Sequence, residues 1–352
     1  MKKRITAAML AAVMLFLCAF VSAGCGSDED SFLTSCDDSA NFPVTINSVR
    51  IEERPKRVVC TSSKHTDIAI ELGYAKYIVG KPYEYAASAV SDASEVGTND
   101  NPSLEIIAGL EADLVIVDEM IPEESLTALV DSGVPVLQLG TPRDRMSFRN
   151  TYSCIGAALG GARDGQNAAI KKAESILISL DDIERLVSSE PTSYVCIFTN
   201  SGLSSYITGD DITTMCIELA GGFNVAIEGK NGVFSLDQVS RGDPDVILCP
   251  AGSQPTVRSK RVLNSCSAVT GNRIYDFDVS KFNCCDSQLI VATWELARLL
   301  HPNIVTKEML PKGAIDYYVY TSSVMTQEEY DALQSQLAEA EAEQTYVFVY
   351  ED

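Results

Sequence analysis

Residues 103–118 read SLEIIAGLEADLVIVD and residues 235–250 read SLDQVSRGDPDVILCP, and the two stretches align without a gap. Each opens on a Ser suited to cap a helix and carries a carboxylate two places later, Glu105 or Asp237. Each then closes on an Asp that leads into a continuous apolar run, LVIV or VILC. An unbroken apolar run of this length fits a strand buried on both faces, as in a parallel sheet covered by helices. A weaker pair flanks the first: IELGYAKYIVG at 70–80 and IELAGGFNVAIEG at 217–229, each preceded by a strand-like run (57–60 and 194–198) and a polar loop. Strand, loop, helix and strand in the same order in both halves predict two α/β lobes with central, mostly parallel sheets.

Between the halves, residues 163–189 lack Pro and place Ile170, Ala173, Leu177, Leu180, Ile183 and Val187 at helical spacing. A helix over that range spans ~40 Å. One such rod joining both lobes restrains hinge motion and predicts modest closure around a ligand. The expected layout is a signal peptide at 1–24, a tether at 25–42, an N-terminal α/β lobe at 43–150, a connecting helical segment at 151–190, a C-terminal α/β lobe at 191–313 and an extension at 314–352. The extension carries a capping box, Thr326 with Glu329, opening a helix to about Glu343, and then TYVFVY as a strand.

The chain has 352 residues with a net charge of −22, 46% apolar and 22% charged residues, which suits one large or two ordinary domains with a real core. A polyanionic partner such as nucleic acid is disfavoured, since no basic run exists beyond Lys2, Lys3 and Arg4. Those three cations, the apolar stretch to Ala23 and the small residues before Cys25 read as a secretory signal whose cleavage leaves Cys25 N-terminal and acylated, with an uncleaved anchor helix as the alternative. Either places the body outside the cytoplasm, lipid-anchored to the cell membrane in the first case. Setting aside Cys18 and Cys25 leaves Cys36, Cys60, Cys154, Cys196, Cys216, Cys249, Cys266, Cys284 and Cys285, with no C-x-x-C. Cys60, Cys196 and Cys249 sit in apolar strand-like runs and read as small core residues. With two histidines, His65 and His301, a structural zinc site is not expected.

Taken together, FPVTI, RPKRVVCTSSKHTDIAIELGYAKYIVG, VGTNDNPSLEIIAGLEADLVIVD, SGVPVLQL, ELAGGFNVA, FSLDQVSRGDPDVILCP, AVTGNRIYDFD and ELARLLHP, in this order over residues 42–302, resemble the periplasmic-binding fold of importers for iron-siderophore, haem and cobalamin. The resemblance implies two lobes joined by one rigid helix, with a metal chelate as transported ligand, no intrinsic cofactor, and delivery to an ABC permease and, through it, an ATPase. It also implies that Glu105 and Asp237, at the matching helix starts, dock on permease arginines; Asp237 stands where the family commonly has Glu. A monomer is expected.

The ligand is expected at the loops after the strands' carboxyl ends. Candidate contacts there are Ser63, Lys64, His65, Lys81, Tyr83, Tyr85, Arg143, Asn200, Tyr206 and Asn283. Tyrosines offer flat faces with a polar tip. Lys64, Lys81, Arg143 and Arg145 form an expected basic cluster that would attract a ferric siderophore or a propionate-bearing tetrapyrrole. His65, with Cys284, Cys285 or a Tyr across the cleft, is a candidate axial metal ligand, the alternative being a surface or capping role. Two other classes stay open. One is a nutrient-sensing or ligand-relay lipoprotein without its own permease; the other is an extracellular enzyme, against which no G-x-S-x-G, P-loop, H-E-x-x-H or G-x-G-x-x-G motif occurs.

Overall fold

Val58–Cys60 (β3) and Leu114–Asp118 (β8) pair in parallel at the centre of a sheet whose order is β5-β4-β3-β8-β9, with β4 at Ile78–Lys81, β5 at Ser94–Glu95 and β9 at Val136–Leu139. This is seen in a computed structural model that describes residues 38–282 and 284–318. Before this sheet lies a short antiparallel hairpin of β1 (Val44–Ile46) and β2 (Val49–Ile51), and beside it a second one of β6 (Gly97–Thr98) and β7 (Asn101–Pro102). The described residues begin at Asp38 with a one-turn helix, Asp38–Asn41. The signal peptide, Cys25, Cys36, nearly all of the tether, and the helix and strand expected after residue 318 lie outside the described residues.

The second sheet runs β11-β10-β12-β13, all parallel: Ser193–Ile197 (β10), Gly222–Asn224 (β11), Val246–Cys249 (β12) and Ile274–Asp276 (β13). With the edge strand β5 set aside, the first strand of each lobe in chain order sits between the second and the third. The repeat is therefore a repeat of topology, with β3, β4, β8 and β9 answered by β10, β11, β12 and β13. β8 and β12 are buried along their whole length, which is why they read as unbroken apolar runs. In each lobe the chain reverses direction of spread between its first and third strands, and the loops there diverge to open a crevice.

Helix α1 (Ser63–Glu71) follows β3, α2 (Leu104–Gly109) precedes β8, and α3 (Glu123–Asp131) precedes β9. In the second lobe, α6 (Ile212–Leu219), described after the connecting pair below, follows β10, and α7 (Leu236–Gly242) precedes β12. Only the second of the two expected serine caps forms: Ser235 Oγ accepts from Gln238 N at 3.2 Å, whereas the Ser103 side chain makes no capping bond. Ser103 instead contributes its carbonyl, to Ile107 N at 3.0 Å.

The connecting helix expected over 163–189 is present at 166–187, and a second helix and a turn precede it. Helix α4 (Arg145–Gly160) packs with the first lobe, a π-turn at Gly161–Gly165 reverses the chain, and α5 (Gln166–Val187) runs back against α4. Arg163 belongs to the turn. The reversal needs backbone contact between the helices: a Cβ at Gly165 would lie 2.3 Å from Gly156 O and from Gly160 Cα. At 22 residues α5 is ~33 Å long. It buries Ala169, Ala173, Ile176, Leu177, Leu180, Ile183 and Val187 against α4 on one side and against α6 and the helix Gln288–Leu300 (α8) on the other, so it does bridge the lobes. A fully buried Leu or Ile here contributes about 1.5–3 kcal/mol. Among the described residues no helix is long and apolar enough to cross a membrane.

Past α8, residues 302–317 wrap back onto the second lobe. Arg298 pairs with Asp316 at 3.1 Å, Ile315 N donates to Glu295 Oε1 at 2.6 Å, and Lys281 Nζ holds the same carboxylate at 2.7 Å. Tyr317 OH accepts from Asp278 N at 3.3 Å. This strap fixes the segment 278–282, which the site uses.

Candidate functional site

The crevice between the lobes holds two adjoining hollows that share Ser280. The first, about 510 Å³, is walled by Lys64, Met120, Thr141 and Arg143 of the first lobe and by Thr199, residues 205–208, Asp210, Asp211, Asn231, Gly232, Val279 and Phe282 of the second. The second, about 560 Å³, is walled mainly by the first lobe: residues 61–63, Asp67, residues 82–86, Thr98 and Asn99, with Ser280 and Cys284 opposite. Both volumes fall in the range of small-molecule sites.

Helix α1 supplies the floor. Lys64 reaches across the crevice to Asp211, Nζ to Oδ2 at 3.2 Å, with only 12% of its side chain exposed. Burial works against the ammonium charge, but Asp211 and neighbouring groups outweigh it and its pKa is raised. Asp211 is well placed because it also caps α6, accepting from Thr213 N at 2.8 Å. Next to it, Asp210 accepts from Thr208 Oγ1 at 2.6 Å and from Asn231 N at 2.9 Å; burial opposes its charge, and these donors hold its pKa below the ordinary value. On the opposite wall Arg143 pairs with Glu119. Thr141 donates to Asp118, whose other oxygen accepts from Met120 N at 3.0 Å, and Asn99 Oδ1 ties Thr61 and Asp118 N together at 2.6 and 2.9 Å. These bonds fix the loops after β3, β8 and β9.

In the second hollow Tyr85 OH donates to Asp67 Oδ1, and Cys285 N, from the other lobe, donates to Asp67 Oδ2 at 3.2 Å. Burial, reinforced by Asp286, pushes the Asp67 pKa up to about 7 against the pull of those donors. The same interlobe seam is closed by Tyr152 OH to Cys285 O at 2.9 Å and by Ser287 Oγ to Glu71 Oε2 at 3.2 Å. Tyr83 is 55% exposed and presents its ring at the mouth.

Of the sequence candidates, Ser63, Lys64, Tyr83, Tyr85, Arg143, Tyr206 and Cys284 line the hollows. Tyr206 is held edge-on to Phe234 and packed on Phe198, part of the second lobe's core. Four candidates do not line them. His65 is fully buried inside the first lobe, its Nε2 3.4 Å from Gly140 O and its Nδ1 without a partner among the described residues. Burial lowers its pKa. Neighbours on a helix point about 100° apart, so Lys64 facing the crevice sends His65 into the lobe. Lys81 is buried at the end of β4, Asn200 spends its amide on Ser204, and Cys285 is buried with its thiol pKa pushed well up. Asn283 lies outside the described residues. Cys284 Sγ donates to Lys281 O at 3.0 Å, and burial likewise keeps it a thiol. Among the described residues no cluster of three or more His, Cys, Asp or Glu is placed to hold a metal ion, and all eight cysteines are free thiols. The expected basic cluster is also corrected: Lys64 and Arg143 are each paired, and Arg145 points away to Asp181 and Glu184 on α5. Sequence reasoning missed Asp67, Asp210, Asp211 and Ser280. The run Gly209, Asp210, Asp211 ahead of ITT carries a helix-capping signal that marks the loop.

Glu105 and Asp237 are both exposed in the first turns of α2 and α7, and among the described residues neither makes an ion pair. Each helix leads into a parallel strand running the opposite way, so its N-terminus lies at the strand's carboxyl end, the side on which the crevice opens.

Residues 58–279 match the periplasmic binding protein family. YvrC of Bacillus subtilis (strain 168), named an uncharacterized ABC transporter substrate-binding lipoprotein, is 29% identical over 322 residues, spanning 86% of this chain and 99% of that protein. The Fe(3+)-citrate-binding protein YfmC of the same strain is 23% identical over 289 residues, covering 76% of this chain and 87% of its own. Among solved structures, the apo form of the periplasmic heme-binding protein RhuT from Roseiflexus sp. RS-1 shares the fold, with a TM-score of 0.60 at 21% identity over 70% of this chain and 98% of that one. Because the family match runs through both lobes and the connector between them, this chain belongs to the periplasmic binding protein family.

Proposed function

We propose that the chain is the extracytoplasmic substrate-binding lipoprotein of an ABC importer, anchored through acylated Cys25, that takes a metal chelate into the interlobe crevice and hands it to a membrane permease coupled to an ATPase. The observation that carries the reading is the crevice itself: two hollows walled by strand-end loops of both lobes, at the place where parallel sheets open. The relatives' names support it, since one is an ABC transporter substrate-binding lipoprotein and another binds ferric citrate. Glu105 and Asp237, exposed at equivalent helix starts of the repeat, are the proposed permease contacts. The residues that meet the ligand are Lys64, Tyr83, Tyr85, Arg143 and Tyr206, joined by Asp67, Asp210, Asp211 and Ser280.

The test is transport in vesicles carrying the cognate permease and ATPase. Reversing both charges, Glu105→Lys with Asp237→Lys, is expected to abolish uptake while chelate affinity stays within about twofold. Undiminished uptake rejects the docking assignment and favours a relay or sensing role. A haem reading through His65 loses its basis with that ring buried, so His65→Ala is not expected to remove a Soret shift.

A further inference from the structure

Among the described residues two cations line the crevice, and neither faces the space alone. Lys64 is held by Asp211 across the lobes, and Arg143 by Glu119 on its own lobe. The first hollow adds Asp210, fixed as an anion by the Thr208 hydroxyl and the Asn231 N–H. Among the described residues no Lys or Arg lines the second hollow; its acidic groups are Glu84 and Asp67, the latter with a pKa of about 7 and so only partly ionised near neutrality, beside the rings of Tyr83 and Tyr85. Glu95 adds to the field there, its Oε1 accepting from Glu84 N at 3.3 Å, and Tyr83 OH is harder to ionise because of Glu84 and then Glu95.

We propose that the crevice selects a chelate of zero or positive net charge, whose cationic or uncharged part enters the hollow of Tyr83, Tyr85, Asp67 and Glu84, and that it rejects polyanionic chelates. This rests on the importer reading and deepens it. An anionic chelate meets a wall where every cation is already neutralised. To use Lys64 it must strip Asp211 of its partner and leave that carboxylate facing the ligand; to use Arg143 it must do the same to Glu119. A cation, by contrast, finds two tyrosine rings beside the Glu84 carboxylate, and its charge favours ionisation of Asp67. The net charge of the chain, −22, acts in the same direction during encounter. Hydroxyls of Thr61, Ser62, Ser63, Thr98 and the Asn99 amide supply neutral donors and acceptors for the chelate's periphery.

The test is equilibrium titration of the full chain, at ~10 mM and ~150 mM salt, with a cationic ferric trihydroxamate, an uncharged ferric trihydroxamate, cyanocobalamin and the anionic ferric–citrate complex. At least one uncharged or cationic probe is expected to bind 100-fold tighter than ferric citrate, and the gap for the cation is expected to narrow with salt. Asp211→Asn, which keeps the helix cap but frees Lys64, is expected to strengthen ferric citrate about 10-fold. Glu84→Lys is expected to weaken the cationic probe by a similar factor. Ferric citrate binding as tightly as the others overturns the charge selection and leaves the importer reading standing. Saturable binding of none of the four overturns both. Affinities unmoved by Glu84→Lys overturn the assignment of the tyrosine hollow.

Discussion

The two lobes share one topology yet furnish the first hollow with opposite charge. The first lobe brings Lys64 and Arg143 to the first hollow, and the second brings Asp210 and Asp211. Where the cation and anion come from different lobes, as in Lys64 and Asp211, the pair joins the halves and is mostly shielded from solvent; where both come from the first lobe, as in Arg143 and Glu119, the pair sits at the surface with 46% and 38% of its side chains exposed. Equivalent strand-end loops thus diverged in charge while the sheet beneath them stayed the same. The charge of a loop is free to change because it is not part of the packing that fixes the fold.

The largest break of the comparison between the lobes acts on the docking helices: reversing Glu105 and Asp237 together is expected to remove uptake entirely, whereas either reversal alone tests whether the two lobes contribute equally. Next in size is the helix reversal that holds the lobes together. Gly165→Ala places a Cβ 2.3 Å from Gly156 O and is expected to destabilise by about 3 kcal/mol in denaturant unfolding. Gly109→Ala, in a helix with nothing within 4 Å of the added carbon, should stabilise by about 0.5 kcal/mol. Similar costs for the two would remove the packing explanation of the turn. For the ion pairs, a double-mutant cycle on Lys64 and Asp211 is expected to give a coupling of about 2 kcal/mol, against about 0.5 kcal/mol for Arg143 and Glu119, whose exposure lets water screen it. Equal couplings would erase the distinction between the interlobe and intralobe pairs.

A smaller effect concerns pH. The folded pKa of Asp67, about 7, lies above the ~3.9 of an unfolded Asp. The folded chain therefore binds this proton more tightly, and the group's contribution to stability is full below about pH 4 and is lost as pH rises through about 7. The groups facing it are Tyr85, Cys285, Asp286 and Lys64. Asp67→Asn should flatten part of the fall in melting temperature between pH 4 and 7. Buried Asp276, Asp286 and Glu295, also raised, keep the remainder. An unchanged profile would mean that Asp67 is ionised throughout.

The two sheets were legible because β8 and β12 are buried end to end, so their apolar runs owe nothing to alternation and stand out in the sequence. The exposed carboxylates Glu105 and Asp237 were legible for the same reason: the repeat places them. The connecting helix was legible from its apolar stripe over 163–189, but the helix before it and the reversal at GGARDG were not, since only the close approach at Gly165 shows where the chain turns. The pairing of the cleft cations was hidden because Lys64 and Asp211 are 147 residues apart in sequence. A residue's charge is written in the sequence; the partner that neutralises it is not. His65 misled because its neighbour Lys64 does face the crevice, and one step along α1 turns the side chain inward.

A metal chelate held between the lobes would occupy hollows that meet at Ser280. The direct measurement is calorimetric titration of the full chain and of Ser280→Trp with the panel of chelates, after circular dichroism has shown the variant to be folded. One-to-one saturable binding by the parent chain to at least one chelate, weakened at least 100-fold by the indole at Ser280, is the predicted result. Binding of equal strength in the folded Ser280→Trp variant, or none in the parent, would contradict it.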